Sequence, residues 1–413
     1  MKFWLVVFLI VIVALLFKSY MFRGVRQALT SPIWAIVYAT ISIGSMLVGV
    51  ITTIFAFSDG MIGLTFLENF AIAFMLTILC CEFFLFIFFL FDDAIILGGY
   101  FQKKASLKKP QNDSSDKSRR RFVKTLGLGL TALPFSSFLY GITKGKYNFN
   151  LVELTLTFKN LPKEFNGFRI AQFSDFHAGS FDSFEKVKEG LALLQKQNAD
   201  LILFTGDLVN DLEAEVLPYK SILKNLEAPF GKFSVLGNHD YSQDIDLFES
   251  KEAAQANFEA IKKHYHDVNF QLLNNDSVKI EKENQHIRLI GVENWGKGFV
   301  KEGDIDKAIA NCKENEFSIL MSHDPTHWEE KVLPHKKHID ITLSGHTHGT
   351  QVGIEMLGIK WSPIQYLYKR WAGLYKELGQ YLYVNRGFGF IAFAGRVGIP
   401  PEITVLTLKS QMV

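Results

Sequence analysis

Cysteine is scarce in this chain: Cys80, Cys81 and Cys312 are the only three in 413 residues. That excludes a scaffold built from disulfides. Cys312 stands alone in the polar part of the chain and has no local partner there. An excess of either charge is also missing, with 44 basic against 42 acidic residues and a net charge of +2. Binding of nucleic acid through bulk charge is not expected. The first apolar run is not followed by the small-residue cleavage site of a secretory signal. Internal repeats are absent as well.

What the chain does have is unevenly spread. Its mean hydropathy of +0.12 is high for a soluble protein, and the excess falls almost entirely in the first 141 residues. Residues 3–17 are apolar throughout, slightly short for a hydrocarbon core of about 30 Å. Residues 31–57 form a charge-free run long enough to span. A third run, 62–91, is rich in Phe and interrupted only by Glu68 and Glu82. A fourth, 125–141, contains Pro134. The expectation is about four membrane helices. Glu82, inside the third, is expected to face another helix in neutral form, or to mark a partner contact.

Lys and Arg set the orientation. Lys18, Arg23 and Arg26 lie between the first two runs, whereas the next loop offers only Asp59. Residues 101–124 read as a basic cytoplasmic linker, polar and Ser-rich over 111–118. Basic loops inside place the N-terminus and everything after the fourth helix outside, on a bacterial inner (cytoplasmic) membrane. Ser118-Arg119-Arg120-Arg121-Phe122-Val123-Lys124 also matches a twin-arginine-like export signal. The bland alternative is a polybasic stretch obeying the positive-inside rule.

From 147 to 413 the text changes to short β-rich runs alternating with amphipathic stretches. Strands are expected at 151–158, 168–174, 201–204, 233–236, 317–321, 339–343, 381–384 and 403–408, with a helix over 184–196. The alternation implies a layered α/β fold. Five strands end in residues that can ligate: Asp175-Phe176-His177, Gly206-Asp207, Gly237-Asn238-His239-Asp240, Ser322-His323-Asp324 and Gly345-His346-Thr347-His348-Gly349. The carboxyl edge of an α/β sheet is where ligands bind. Each motif alone fits a structural turn. All five in this order do not.

Imidazole mixed with carboxylate suits Mn, Fe or Zn better than Mg or Ca. Asp175, His177 and His348 would hold one divalent ion. Asn238, His323 and His346 would hold a second, with Asp207 bridging. Two such ions can clamp a phosphoester and activate a water. Gly206, Gly237 and Gly345 allow sharp turns and close backbone approach.

On these motifs, residues 151–408 resemble the calcineurin-like metallophosphoesterase family, in its membrane-anchored bacterial branch. The resemblance implies a four-layer α/β/β/α sandwich behind the all-α transmembrane region, with a dinuclear metal centre and the ligand set just given. It implies that His239 contacts the scissile phosphate and protonates the leaving oxygen, with Asp240 orienting His239. Thr350 stands where many relatives have Gly, so loop shape near the substrate is expected to differ. Arg386, in Asn385-Arg386-Gly387-Phe388-Gly389, could bind a substrate phosphate or form a structural ion pair. His264, His266, His286, His327, His335 and His338 are read as surface or structural, the first two as exposed. Trp361, Tyr366, Tyr368, Trp371 and Tyr375, with Lys369 and Arg370, suit either a membrane surface or ordinary packing.

The expected function is hydrolysis of a phosphoester, lipid-linked if the membrane part positions the site. The alternatives are a pyrophosphatase of a nucleotide-linked lipid of the UDP-diacylglucosamine type, and a catalytically silent interaction protein.

Overall fold

The computed structural model describes residues 2–58, 65–105, 114–241 and 247–411. Asp59, the start of the third apolar run at 62–64, and 106–113 of the basic linker lie outside the described residues. The chain divides into two compact units, one formed by Met1–Phe55 with Phe70–Tyr140, the other by Ala56–Asn69 with Gly141–Val413.

The first unit is helical: α1 (Lys2–Ala28), α2 (Pro32–Ser58), α3 (Phe66–Ala105) and α4 (Ser114–Thr143). The segments Pro32–Phe55, Phe66–Phe101 and Ser118–Thr143 are each long and apolar enough to cross a membrane. The stretch expected as a linker is helical wherever it is described, at the end of α3 and the start of α4. Its basic groups have partners: Arg119, Arg120 and Lys124 converge on buried Asp92 at 3.4–3.7 Å. This ion cluster accounts for helical order where composition alone suggests an open linker.

Glu82 faces other helices, as expected, and is paired there. Lys18 Nζ of α1 lies 2.5 Å from its Oε2, and Tyr38 and Ser42 of α2 donate to its Oε1. Every oxygen of a buried carboxylate that is paired in this way is satisfied, which is the condition for tolerating it among Phe side chains. Lys18→Met should therefore lower stability by about 3 kcal/mol, because Glu82 is left uncompensated. Adding Glu82→Gln should recover most of the loss, read as thermal unfolding in detergent.

The second unit holds two six-stranded sheets. The first contains β1 (Asn150–Phe158), β2 (Arg169–Phe173), β3 (Leu201–Phe204), β4 (Lys232–Ser234), β5 (Gln271–Leu272) and β14 (Glu402–Ser410), in the order β1-β14-β2-β3-β4-β5. The second contains β6 (Asp276–Lys282), β7 (Gln285–Gly291), β8 (Ser318–Met321), β9 (Ile341–Ser344), β12 (Gly373–Glu377) and β13 (Gln380–Val384), in the order β12-β13-β9-β8-β7-β6. A separate ribbon pairs β10 (Ile354–Met356) with β11 (Ile359–Trp361).

The inner faces of the sheets share one core. Leu201, Leu203, Phe233 and Leu406 of the first meet Ile287, Leu289, Ile319 and Ile341 of the second, all buried. Outside the first sheet lie α5 (Phe184–Gln195), α6 (Lys220–Lys224) and α7 (Lys251–Asp267); α5 buries Val187, Leu191 and Leu194 at helical spacing. Outside the second, α8 (Ile305–Ala308) and a π-helical turn at Trp328–Val332 cover Leu320, Leu382 and Val384. These are the four layers expected. Strands β2, β3 and β4 run parallel, as do β8 and β9. Their carboxyl ends therefore deliver five loops to one edge.

Candidate metal centre

Each ligand loop leaves its strand through a sharp turn. Asp175, His177, Asp207, His346 and His348 all have left-handed backbone, with φ of 49–74°. Few non-glycine residues accept that conformation, and its cost is usually met at functional sites. Close packing makes the neighbouring glycines necessary. A Cβ on Gly237 would lie 2.1 Å from Asp207 Oδ1, and one on Gly345 would lie 1.9 Å from Ser174 Oγ.

Two groups of possible metal-binding side chains result: Asp175, His177 and His348, and Asp207, His323 and His346. In the first, His177 Nε2 is 3.1 Å from His348 Nε2, and His348 Nε2 is 3.3 Å from Asp175 Oδ1. Between the groups stands Asp207, whose Oδ2 is 3.5 Å from His177 Nε2 and 3.1 Å from His323 Nε2. Asn238 joins them at the same cavity, which measures about 690 Å³ and is also lined by His239, Lys297, Phe299 and Thr326. All seven candidate ligands thus meet at one place.

The donor atoms fit cations. His323 Nδ1 lies 2.7 Å from the Thr205 carbonyl, which can only accept, so Nδ1 carries hydrogen and Nε2 is the ring nitrogen turned toward Asp207. Burial opposes a charge on this ring, but the Asp207 carboxylate 3.1 Å from Nε2 outweighs it and pushes the His323 pKa up to about 10, so a proton on Nε2 stands where a metal cation would replace it. Among the described residues, His323 Nε2 and Asn238 Oδ1 are buried without a hydrogen-bond partner. His177 is oriented likewise, its Nδ1 3.1 Å from Asn210 Oδ1. Burial pushes the pKa of His177, His346 and His348 down, keeping them in the neutral, ligating form. Burial also opposes ionisation of Asp175 and Asp207. The imidazoles beside them, His348 for Asp175 and His323 for Asp207, outweigh it and hold both carboxyls below the usual range.

His239 lines the cavity, but Asp240 does not orient it. Asp240 is fully buried and accepts from the backbone N–H of Asp207, Leu208 and Gly237 and from Tyr265 OH. The short 3₁₀ turn at His239–Tyr241 sends the two neighbouring side chains apart. The acceptor at His239 Nδ1 is instead the Asn210 carbonyl, at 2.8 Å. Arg386 does not line the cavity either. Its guanidinium is bound by Glu355 and Glu402, the ion-pair arrangement rather than the phosphate-binding one. His264 is buried against Glu213 rather than exposed. His327 is buried with its Nδ1 2.9 Å from Ser322 Oγ, while His286 pairs with Glu316 and His335 with Asp306. Thr350 adopts φ of 49° and hydrogen-bonds Ser362, tying the ligand loop to the turn that follows the ribbon.

Three supporting residues lay beyond sequence reasoning. Asn210 contacts both His177 and His239. Glu215 holds the Asn210 loop, accepting from the N–H groups of Gly179, Asn210, Asp211 and Leu212. Arg396 is buried behind His348, 3.0 Å from its Nδ1. Glu215→Ala should destabilise the protein by about 3 kcal/mol, since four N–H groups lose their acceptor. It should also lower turnover about tenfold by displacing Asn210. Glu215→Gln, which keeps one oxygen, should fall between. Thermal denaturation and steady-state kinetics would check both effects.

Residues 1–146 match the family model described as "Probable Calcineurin-like phosphoesterase, transmembrane domain". Residues 168–350 match "Calcineurin-like phosphoesterase". A Bacillus subtilis protein described as "Uncharacterized metallophosphoesterase YkuE" is 28% identical over 302 residues, 71% of this chain and 98% of that one. A Danio rerio "Transmembrane protein with metallophosphoesterase domain" is 25% identical over 281 residues, 66% of this chain and 60% of that one. The "UDP-2,3-diacylglucosamine pyrophosphatase LpxG" of Chlamydia muridarum is 28% identical over 331 residues, 68% of this chain and 96% of that one. With two groups of metal-competent side chains at its strand ends and a family transmembrane domain ahead of them, the chain belongs to the calcineurin-like metallophosphoesterases and is a membrane-associated, metal-dependent phosphoester hydrolase.

Proposed function

We propose that the chain hydrolyses a lipid-linked phosphoester at a dinuclear metal centre. Asp175, His177 and His348 would hold one ion and Asn238, His323 and His346 the other, with Asp207 standing between the two groups. The observation carrying this is the position of Asp207 Oδ2, within 3.5 Å of an imidazole from each group. Two divalent ions held there supply Lewis acidity toward the phosphoryl oxygens and the attacking water. Asn238 lines the same cavity, and its Oδ1 is buried without a hydrogen-bond partner. Nε2 of a doubly protonated His239 would give its proton to the leaving oxygen, while Nδ1–H stays bonded to the Asn210 carbonyl. The apolar wall of the cavity, with Phe299, Ile364 and Leu367, suits a substrate carrying an apolar part.

The positive-inside rule, applied to the basic loops, favours a catalytic domain outside the cytoplasm. A second reading, a pyrophosphatase of a nucleotide-linked lipid, is favoured by the similarity to LpxG and by Lys297 at the cavity wall, where it could meet a second phosphoryl group. It requires a cytoplasmic site. A reporter fused after Val413 separates the two: an extracytoplasmic signal supports the first, a cytoplasmic one the second. The central test is a substrate screen of the purified chain with Mn, comparing monoesters, diesters and lipid-linked pyrophosphates. Metal-free protein inert toward all three would leave the silent interaction protein as the better account.

A further inference from the structure

The ribbon that follows the fifth ligand loop has its polarity reversed. Ile354 pairs with Trp361, Glu355 with Lys360 and Met356 with Ile359. Directly opposed residues share a face, so one face is Ile354, Trp361, Met356 and Ile359, and the other is Glu355 and Lys360. The charged face is the inner one. Glu355 accepts from Arg386 Nε at 2.9 Å, and Lys360 donates to the Ala372 carbonyl. The apolar face is the outer one, with Met356 61% and Ile359 57% exposed, and Leu357 at the turn is 90% exposed. An antiparallel ribbon facing water shows the opposite pattern.

The apolar surface continues toward the metal centre. Tyr366 and Leu367 are exposed and line the same cavity as His346 and His348. Ser362 fixes this turn to the ligand loop through the Gly349 carbonyl and Thr350. Charge is missing from the outer face, while Trp361 and Tyr366, the residue types that favour a membrane interface, stand at its base. The same chain carries apolar helices long enough to cross a bilayer.

We propose that the outer face of this ribbon seats in the interfacial layer of a lipid bilayer and keeps the cavity mouth at headgroup level. The partner is the lipid itself, engaged through apolar contact. Delivery of a membrane-embedded phosphoester to the metals rests on the function proposed above; the lipid contact does not.

The test uses the full chain in phosphatidylethanolamine–phosphatidylglycerol vesicles containing brominated acyl chains. A fluorophore is placed at Leu357→Cys after Cys80, Cys81 and Cys312 are changed to Ala. Quenching by the brominated chains that persists in high salt is expected, since the contact is not ionic. A label that stays water-exposed, or is shielded without being quenched, overturns the proposal. In the second arm, Leu357→Asp with Ile359→Ser should cut turnover of a vesicle-embedded phosphoester about tenfold and leave a water-soluble chromogenic ester within about twofold. Equal loss on both substrates counts against the proposal. If the wild-type chain cleaves neither ester, the hydrolase reading fails, and the quenching arm still decides the lipid contact.

Discussion

Asp207→Ala is expected to abolish binding of both metal ions and to lower turnover by about a thousandfold or more. The size follows from position. Asp207 Oδ2 is the one atom shared between the groups, 3.5 Å from His177 and 3.1 Å from His323. Its Oδ1 accepts from the His239 backbone N–H at 2.9 Å, so the same carboxylate sets the start of the turn that carries the proton donor. Loss of either ligand group alone would leave the other three side chains in place. Loss of Asp207 takes the shared charge from both groups and leaves His177 and His323 without their carboxylate neighbour. The metal-free protein should tolerate the change better than the loaded enzyme does, because a buried carboxylate is removed along with the reason for burying it. Metal analysis of the purified variant, beside circular dichroism to establish folding, checks this. Two metals per chain in a folded Asp207→Ala protein would remove the bridging assignment. Asp207→Asn separates charge from shape: it keeps one ligating oxygen, and intermediate metal content is expected.

The ligands were legible because the chemistry they need is local. A buried β-run, a glycine and an Asp, Asn or His form a short text, and the parallel order of β2, β3 and β4 brings their ends together without further information. The supporting residues were illegible for the opposite reason. Asn210 reaches His239 from 29 positions away, and Arg396 reaches His348 from 48. Nothing in their immediate neighbours marks them. Asp240 shows how adjacency misleads. Next to His239 in the chain it reads as an orienting carboxylate, yet the turn directs it inward, where it fastens three backbone N–H groups of the Asp207 and Gly237 loops. Glu82 is a similar case: its partner Lys18 is 64 positions away, and only helix packing brings them together. The ribbon at 354–361 is not among the expected strands, each of its arms being only three residues long. Which face points outward is a tertiary fact.

His239→Ala separates metal binding from proton transfer, and the expected result is retention of both ions with turnover reduced by about 10²–10⁴-fold. His239 touches neither metal group through its ligating atoms. Its Nδ1 is occupied by the Asn210 carbonyl, which leaves Nε2 as the atom free to meet substrate. The leaving group should determine the size of the loss. An alkoxide departs poorly without a proton, whereas a nitrophenolate is stable without one. The variant should therefore lose most of its activity toward alkyl esters and far less toward nitrophenyl esters. A merely structural His239 would lower both by the same factor. Asn210 offers an independent check, because its backbone carbonyl survives substitution of the side chain. Asn210→Ala keeps the bond to His239 Nδ1 but loses the one to His177 Nδ1 at 3.1 Å. It should weaken metal retention while preserving the leaving-group dependence of the wild type. Together the two variants assign the imidazoles separately, His177 to the metal and His239 to the proton, although the rings lie with centroids 5.0 Å apart.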